Sequence, residues 1–431
     1  MLTAITIFII ALHMAVTFPT GLTTETKLWS LGGFALLALV SLISAFMQEV
    51  KRRDMPLLQN MLLMKAIGFM VTFSYAFLEE DAAAMITVIR SQILTAAIST
   101  ALFFVLKRVI ARFRFYRSTA LGYEALAGVP IFLLLARILG PETHGSYLSV
   151  FGILVFSLCM ILMPFATAAA FSDTRTVNFL DPKLTAVSGG ELIYIVVLAG
   201  IAFLSGKVDH EYGIVLIFVG CLGGLIFLMY GRSTGSKLLF SATALFLSMY
   251  VTMTSTKVAG RLSAILHLKD QWNRGHLSQE ATQLYFFLLR VRGAGFYGYG
   301  NAMLSRNLYP TAENDYIFMT LIYNHGLLIG ILSFLIAIAM CRTIMLTPTG
   351  NRYDTVLVQS LGITLAAIYI ISFGGNLGSL PLTGISAVFL AGSGRSMDAA
   401  GAVLLGVAAG VAEHRFLPRL HKSNDQPYQA M

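Results

Sequence analysis

TKVAGRLSAILHLKDQWNRGHLSQEATQLYFFLLRVRGAGFYGYGNAMLSRNLYPTAEND, residues 256–315, is the one long polar stretch in a chain that is otherwise apolar. It ends where an apolar run begins at Tyr316. Of the 431 residues, 57% are hydrophobic and only 12% are charged, with a mean hydropathy of +0.76. Soluble domains carry about twice that charge. On both sides of the polar stretch lie apolar runs long enough to cross a bilayer core, about 20 residues each. Backbone groups in lipid must be satisfied inside their own segment, so the runs are helices. A membrane barrel would instead show alternating strands of about ten residues, and none are present.

The pattern predicts an all-α polytopic membrane protein of about 12 transmembrane helices. The spans are expected at 3–19, 28–47, 59–78, 84–106, 121–139, 148–171, 186–205, 212–230, 236–255, 316–341, 354–375 and 380–412. The last is Gly-rich, which suits a broken or tilted helix. The N-terminus, MLTAITIFIIALHMAVTF, has neither a basic n-region nor a small-residue cleavage site and reads as a retained first span. The tail 414–431 is polar.

Charge sets the expected orientation. The even-numbered connections and the tail hold seventeen Lys and Arg, among them Lys51, Arg52, Arg53, Lys107, Arg117 and Arg352. The short odd-numbered connections hold two, Lys27 and Lys207. This places both termini in the cytoplasm and the 256–315 loop outside, since long loops translocate largely regardless of their charge. The net charge of +9 is thereby accounted for without nucleic acid. The basic aromatic stretch Phe113–Arg117 reads as an anchor at anionic headgroups. Cys159, Cys221 and Cys341 lie in or at the end of apolar runs with no CxxC pairing, so neither a disulfide framework nor a zinc site is indicated.

Within the loop, Leu284, Phe287, Leu288 and Val291 fall at i, i+3, i+4 and i+7. They define an amphipathic helix expected at the membrane surface. Gly293, Gly295, Gly298 and Gly300 follow, interleaved with Phe296, Tyr297 and Tyr299. Such glycines allow close backbone approach to a ligand, and they equally suit an interfacial loop with aromatic anchors. Asp315 stands at the mouth of the tenth span. Helix capping would account for an acid there, and so would a base that takes a proton from a sugar hydroxyl at the outer boundary. Arg261, Arg290, Arg292 and Arg306 share the loop, and guanidinium groups match phosphate oxygens, whether of a substrate or of headgroups. Lys65, Arg90, Arg137 and Arg395 sit inside expected spans, where ionisable groups are costly and often functional. Lys65 and Arg137 are near enough to span ends to snorkel. Arg395, beside Gly392, Ser393 and Gly394, suggests an interrupted helix or a cavity lining. Asn376 and Pro381 lie in a tight turn between spans eleven and twelve.

In their order, these stretches resemble the SEDS family (shape, elongation, division and sporulation), the RodA/FtsW type of peptidoglycan glycosyltransferase. The run from Lys257 to Ala302 resembles the family's Arg-Val … Trp … Gly-Tyr-Gln … Gly-Gly-x-x-Gly-x-Gly pattern. YPTAENDYIFMTLIYNHGLLIG resembles its Pro-x-x-x-x-Asp-Phe-Ile-Phe … Glu-x-Gly-x-x-Gly run. GGNLGSLPLTGISAVFLAGSGRSM resembles its Asn … Gly-x-x-Pro-x-Thr-Gly run and the Ser-x-Gly-Gly-Ser that follows. KVDHEYGIVLIF and LGPETHGSYLSVFG are similar to two further family stretches. The likeness covers roughly residues 120 to 410 and is specific over the last 150 residues. Three patterns depart from it. FSLCM, residues 156–160, stands where the family has Gln-Pro-Ser-Glu, with no acid or base. Asn324 replaces the Glu of Glu-x-Gly, with His325 after it, and the Pro-Phe and Ser-Tyr-Gly-Gly-Ser elements have become Val388-Phe389 and Leu390 to Gly394.

The resemblance implies a SEDS-like ten-helix core over 51–413, two extra N-terminal spans within 1–50, and a cytoplasmic tail at 414–431. It implies an enzyme of the bacterial cytoplasmic (inner) membrane that polymerises lipid II, the undecaprenyl-pyrophosphate-linked disaccharide peptide, during division, elongation or sporulation. Asp315 then maps to the family's essential acid and is the candidate catalytic base. Arg261, Arg290, Arg292, Arg306, Gly298, Gly300, Asn376 and Arg395 are candidate substrate contacts. A class B penicillin-binding protein and membrane lipid are the implied partners. No metal ligand cluster is present, although a divalent cation at the pyrophosphate is compatible with the chemistry. Two other readings stay open: a non-catalytic scaffold of the same family, and a transporter or flippase of lipid-linked precursors with Lys65 and Arg395 lining its path.

Overall fold

The structure is a computed structural model. It describes residues 1–51, 56–77, 79, 81–113, 115–139, 149–150, 153–172, 176–178, 186–207, 212–229, 234–254, 256–300, 316–380, 386–390 and 395–414. In chain order the helices are α1 (Leu2–Val16), α2 (Thr24–Lys51), α3 (Pro56–Ala76), α4 (Ala82–Arg112) and α5 (Thr119–Leu139). Next come α6 (Val155–Ser172), α7 (Gly189–Lys207), α8 (Tyr212–Gly223) running into a π-helical turn, Gly224–Met229, and α9 (Thr234–Thr254). The polar loop carries α10 (Thr256–Leu266), α11 (Leu268–Asn273) and α12 (Gln279–Ala294). The chain closes with α13 (Ile317–His325), α14 (Leu327–Met345), α15 (Arg352–Asn376) and α16 (Arg395–His414).

The helical expectation holds. α2 (over Thr24–Met47), α3, α4, α14, α15 and α16 (over Arg395–Glu413) are each long and apolar enough to cross a membrane. α1 and parts of α6, α7 and α8 form shorter apolar helices. Two short antiparallel pairs were not anticipated: β1 (Ser149–Val150) with β2 (Ile153–Leu154), and β3 (Thr176–Asn178) with β4 (Ala186–Ser188). β1, β2 and β4 occupy the starts of two expected spans, so those helices begin later than hydropathy suggests. Two other spans are interrupted. The run 316–341 breaks at Gly326, between α13 and α14, and in the run 380–412 the described residues 386–390 are non-helical, with α16 starting at Arg395.

The chain divides into two compact units, residues 1–99, 248–340 and 365–401 in one, and 100–247, 341–364 and 402–431 in the other. The first is built around α3, whose residues from Leu57 to Ala76 are buried on nearly every face. A helix apolar all round belongs inside a bundle, and α3 packs against α1, α2 and α13. Phe34 of α2 meets Phe69 and Phe73 edge-on at 5.8 Å, and those two rings stack at 4.9 Å.

In the second unit α5, α6 and α7 pack together. Phe113 and Phe115 are exposed, as an anchor would be, but Tyr116 and Arg117 are engaged with protein. Tyr116 is fully buried, and Arg117 grips Asp354 of α15 with two bonds, at 3.1 and 2.5 Å. The headgroup role expected of Arg117 is thus replaced by an ion pair. The three cysteines are buried thiols outside any disulfide.

Candidate functional site

The candidate site is assembled on α12 and α13. Ser278 caps α12 by accepting the Ala281 N–H at 3.2 Å. The apolar stripe read from the sequence is real, but it faces protein where lipid was expected. Leu284 and Phe287 are buried with Tyr75, Tyr316, Met319 and Tyr323, and Leu288 and Val291 pack at the edge of that cluster. The reason is a tertiary partner that the helix period alone cannot reveal. Burying a side chain such as Phe287 contributes about 2 to 3 kcal/mol.

α12 ends at Ala294, and the glycine turn that starts with Gly295 is stapled to the break between α13 and α14. Tyr299 N–H donates to Tyr323 C=O at 2.9 Å, Gly300 N–H to Asn324 C=O at 2.9 Å, and Leu327 N–H to Gly295 C=O at 3.1 Å. Gly298 and Gly326 both have positive φ, +74° and +87°. A Cβ on Gly298 would stand 2.5 Å from the Asn324 carbonyl, and one on Gly326 would stand 2.0 Å from the Phe296 oxygen. Both positions therefore demand glycine. The close approach that glycines permit is used here between two backbone segments.

α13 is buried along its whole length. Three contacts hold its start. Phe287 stacks on Tyr316 at 4.3 Å, Phe318 stacks on Phe373 of α15 at 4.3 Å, and Asn376 Oδ1 accepts the N–H groups of Phe318 and Met319 at 3.0 and 3.3 Å. A helix start leaves its first amides without intrahelical partners, and a remote side chain satisfies two of them here. Asn376 is fully buried and also donates its Nδ2 to the Ser372 carbonyl at 2.8 Å. Both ends of its amide are engaged in holding helices, so Asn376 fixes the start of α13 beside the loop.

Asp315 and Arg306 lie outside the described residues. Tyr316, next in the chain after Asp315, is buried under the stack just described. Arg290 and Arg292 stand on α12 and Arg261 on α10, which packs against it. Arg261 and Arg290 are half-buried and Arg292 is exposed. The Arg290 guanidinium lies 5.8 Å from the centre of the Tyr323 ring. Arg395 is the first residue of α16 and is exposed, a helix start inside the expected span, in line with the interrupted helix that its neighbouring glycines suggested.

Lys65 does not snorkel. It is 3% exposed and bonds Asp398 at 2.5 Å and Gln92 at 3.2 Å. Sequence reading missed this partner; the available signal was Asp398 itself, one acid in an apolar run. Arg90, expected inside a span, is half-exposed, pairs with Glu25 at 3.3 Å and covers the Trp29 ring at 4.3 Å. The replaced family residues Asn324 and His325 are buried, with His325 Nε2 3.2 Å from Ser74 Oγ and its ring edge-on to His13 of α1 at 5.6 Å. Among the described residues no group of three or more His, Cys, Asp or Glu is placed to hold a metal ion.

Comparison with known proteins adds a lineage to this geometry. The family model for FtsW, RodA and SpoVE, described as "Cell cycle protein", matches residues 54–416. A protein of Thioalkalivibrio sulfidiphilus (strain HL-EbGR7), described as "Probable peptidoglycan glycosyltransferase FtsW", is 24% identical over 306 residues, covering 65% of this chain and 72% of that one. A chain from a structure titled "Structural coordination of polymerization and crosslinking by a peptidoglycan synthase complex" aligns with TM-score 0.62 at 14% identity, over 84% of this chain and 98% of its own. The crystal structure of the rod shape determining protein RodA of Thermus thermophilus aligns with TM-score 0.53 at 14% identity, over 84% and 97%. Its aspartate-to-alanine variant aligns at 0.53 and 13%, over 84% and 98%. These structural likenesses speak for the fold.

Proposed function

The chain belongs to the FtsW/RodA/SpoVE family of cell cycle proteins, and we propose that it is a peptidoglycan glycosyltransferase polymerising lipid II in cell wall synthesis. The family match across residues 54–416 carries this reading. The orientation derived from charge supports it by placing both termini in the cytoplasm and the 256–315 loop at the outer face of the cytoplasmic membrane.

In the reaction, an acceptor sugar hydroxyl attacks the anomeric carbon of a lipid-linked disaccharide. A glycosidic C–O bond forms, and the C–O bond to the polyprenyl pyrophosphate breaks. Asp315 takes the hydroxyl proton as general base. Asn376 already serves the Phe318 and Met319 amides, so capping of these two does not account for an acid at 315. Charge accumulates on the departing pyrophosphate, and fixed cations stabilise it most when they are positioned beforehand. Arg261, Arg290, Arg292 and Arg306 are the candidates, with Arg395 from α16. Gly298 and Gly300 shape the turn that braces α13, the helix that opens two residues after Asp315.

The partner that fits is a class B penicillin-binding protein. The solved neighbour comes from a complex that its title describes as coordinating polymerization and crosslinking. The second reading is a family member that binds lipid II or this partner without catalysis. Asn324 and His325, at the family's Glu-x-Gly position, favour it. The transporter reading loses its support at Lys65, which is sealed against Asp398.

The deciding experiment incubates the purified protein with labelled lipid II, alone and with a class B penicillin-binding protein. Glycan polymer in either arm supports the enzyme, and its absence from both supports the scaffold.

A further inference from the structure

We infer that Asp398 is a positioning residue, clamped by Lys65, which holds a non-helical turn inside the membrane and thereby sets the segment that carries Arg395. Lys65 is the tenth residue of α3, so it lies about 14 Å along a helix about 30 Å long, near the middle of the span. Irregular backbone at that depth persists only where protein satisfies its polar groups. Residues 386–390 are such backbone. The Phe389 N–H donates to Asp398 Oδ1 at 2.7 Å, the Val388 C=O accepts from the Tyr369 hydroxyl at 3.1 Å, and the Ala387 C=O accepts from Leu390 N–H at 3.2 Å.

The turn is unusual in its own right. Among the described residues Phe389 is the one non-glycine at positive φ, +65°. Its carbonyl oxygen presses on Gly68 of α3, where a Cβ would come within 2.2 Å. A strained conformation survives only when its surroundings over-determine it. Here the over-determining group is Asp398, which uses Oδ1 on the turn and Oδ2 on Lys65. It closes a nine-residue step from Phe389 and stands in the first turn of the helix that Arg395 opens. Lys65 is needed because a lone carboxylate at that depth would be neutralised or hydrated. Gln92 of α4 adds a third anchor.

This inference rests on the glycosyltransferase reading for its kinetic test but not for its structural one. Two paired variants separate the clamp from the charges. Lys65→Met with Asp398→Asn removes both charges and keeps an oxygen for the Phe389 N–H. Lys65→Met with Asp398→Leu removes the oxygen as well. The first pair keeps the wild-type KM for lipid II. The second raises KM roughly tenfold at unchanged kcat, the mark of a lost binding contact. Arg395→Ala does the same, and adding it to the second pair has no further effect. Equal KM values for the two pairs, or multiplied effects with Arg395→Ala, overturn the inference.

A readout free of catalysis accompanies it, the rate at which an impermeant maleimide labels Arg395→Cys. The rate is unchanged in the background of the first pair and altered in that of the second. Identical rates in both refute the clamp. A wild-type protein that makes no polymer refutes the glycosyltransferase reading instead, and leaves the labelling result to judge the clamp.

Discussion

Asn376 Oδ1 accepts the Phe318 N–H at 3.0 Å, so the end of one long helix caps the start of the short helix that opens two residues after Asp315. The cap is fully buried, where its loss leaves two amides unsatisfied. Asn376→Ala is expected to lower stability by about 2 kcal/mol. In detergent this reads as a fall in the thermal midpoint accompanied by a fall in kcat. An unchanged midpoint would remove Asn376 from the support of α13.

The two candidate glycines should separate sharply. Both have positive φ, but among the described residues Gly298 is hemmed in by backbone, while a Cβ on Gly300 meets none of them within 4 Å. Gly300→Ala then costs only its conformational strain, about 1 to 2 kcal/mol. Gly298→Ala adds a clash that no rotamer relieves, for about 3 kcal/mol or more. Limited proteolysis of the 295–300 turn, with thermal unfolding beside it, ranks the two. Equal sensitivity contradicts the interlock between the turn and the α13–α14 break.

A third expectation concerns pH in the other unit. Burial first, and the negative charge of Asp354 second, push the Tyr116 phenol up to about 12. The folded state therefore holds this proton more tightly than the unfolded chain, whose phenol titrates near 10.0. The stability that follows is complete below that value and is lost as pH rises through about 12. Tyr116→Phe should flatten the decline in thermal midpoint over this window. A variant with the wild-type slope would show that the decline has another source.

Much of the fold was legible because lipid imposes a length on apolar runs, and α2, α3, α4, α14, α15 and α16 obey it. The breaks were not. The run 316–341 reads as one span although Gly326 divides α13 from α14, since the dip at Asn324 and His325 is too short to split an apolar run of about 20 residues. The helix period of Leu284, Phe287, Leu288 and Val291 identified a buried stripe correctly, but a period has no means of telling lipid from the ring of Tyr316. Lys65 and Asp398 are 333 residues apart, and a pair at that separation exists only once the bundle forms. Asn376 looked like a turn residue because its two acceptor bonds reach back 57 and 58 positions. The glycine-rich turn was readable as a close approach, though its partner proved to be the chain's own backbone.

The most direct test of the central claim compares purified wild-type protein with Asp315→Asn at saturating lipid II. Asparagine keeps the size and polarity of the side chain and removes the base. The account predicts that kcat for polymer formation falls by about a hundredfold or more, while lipid II binding is retained. Polymerisation at the wild-type rate by Asp315→Asn would contradict it.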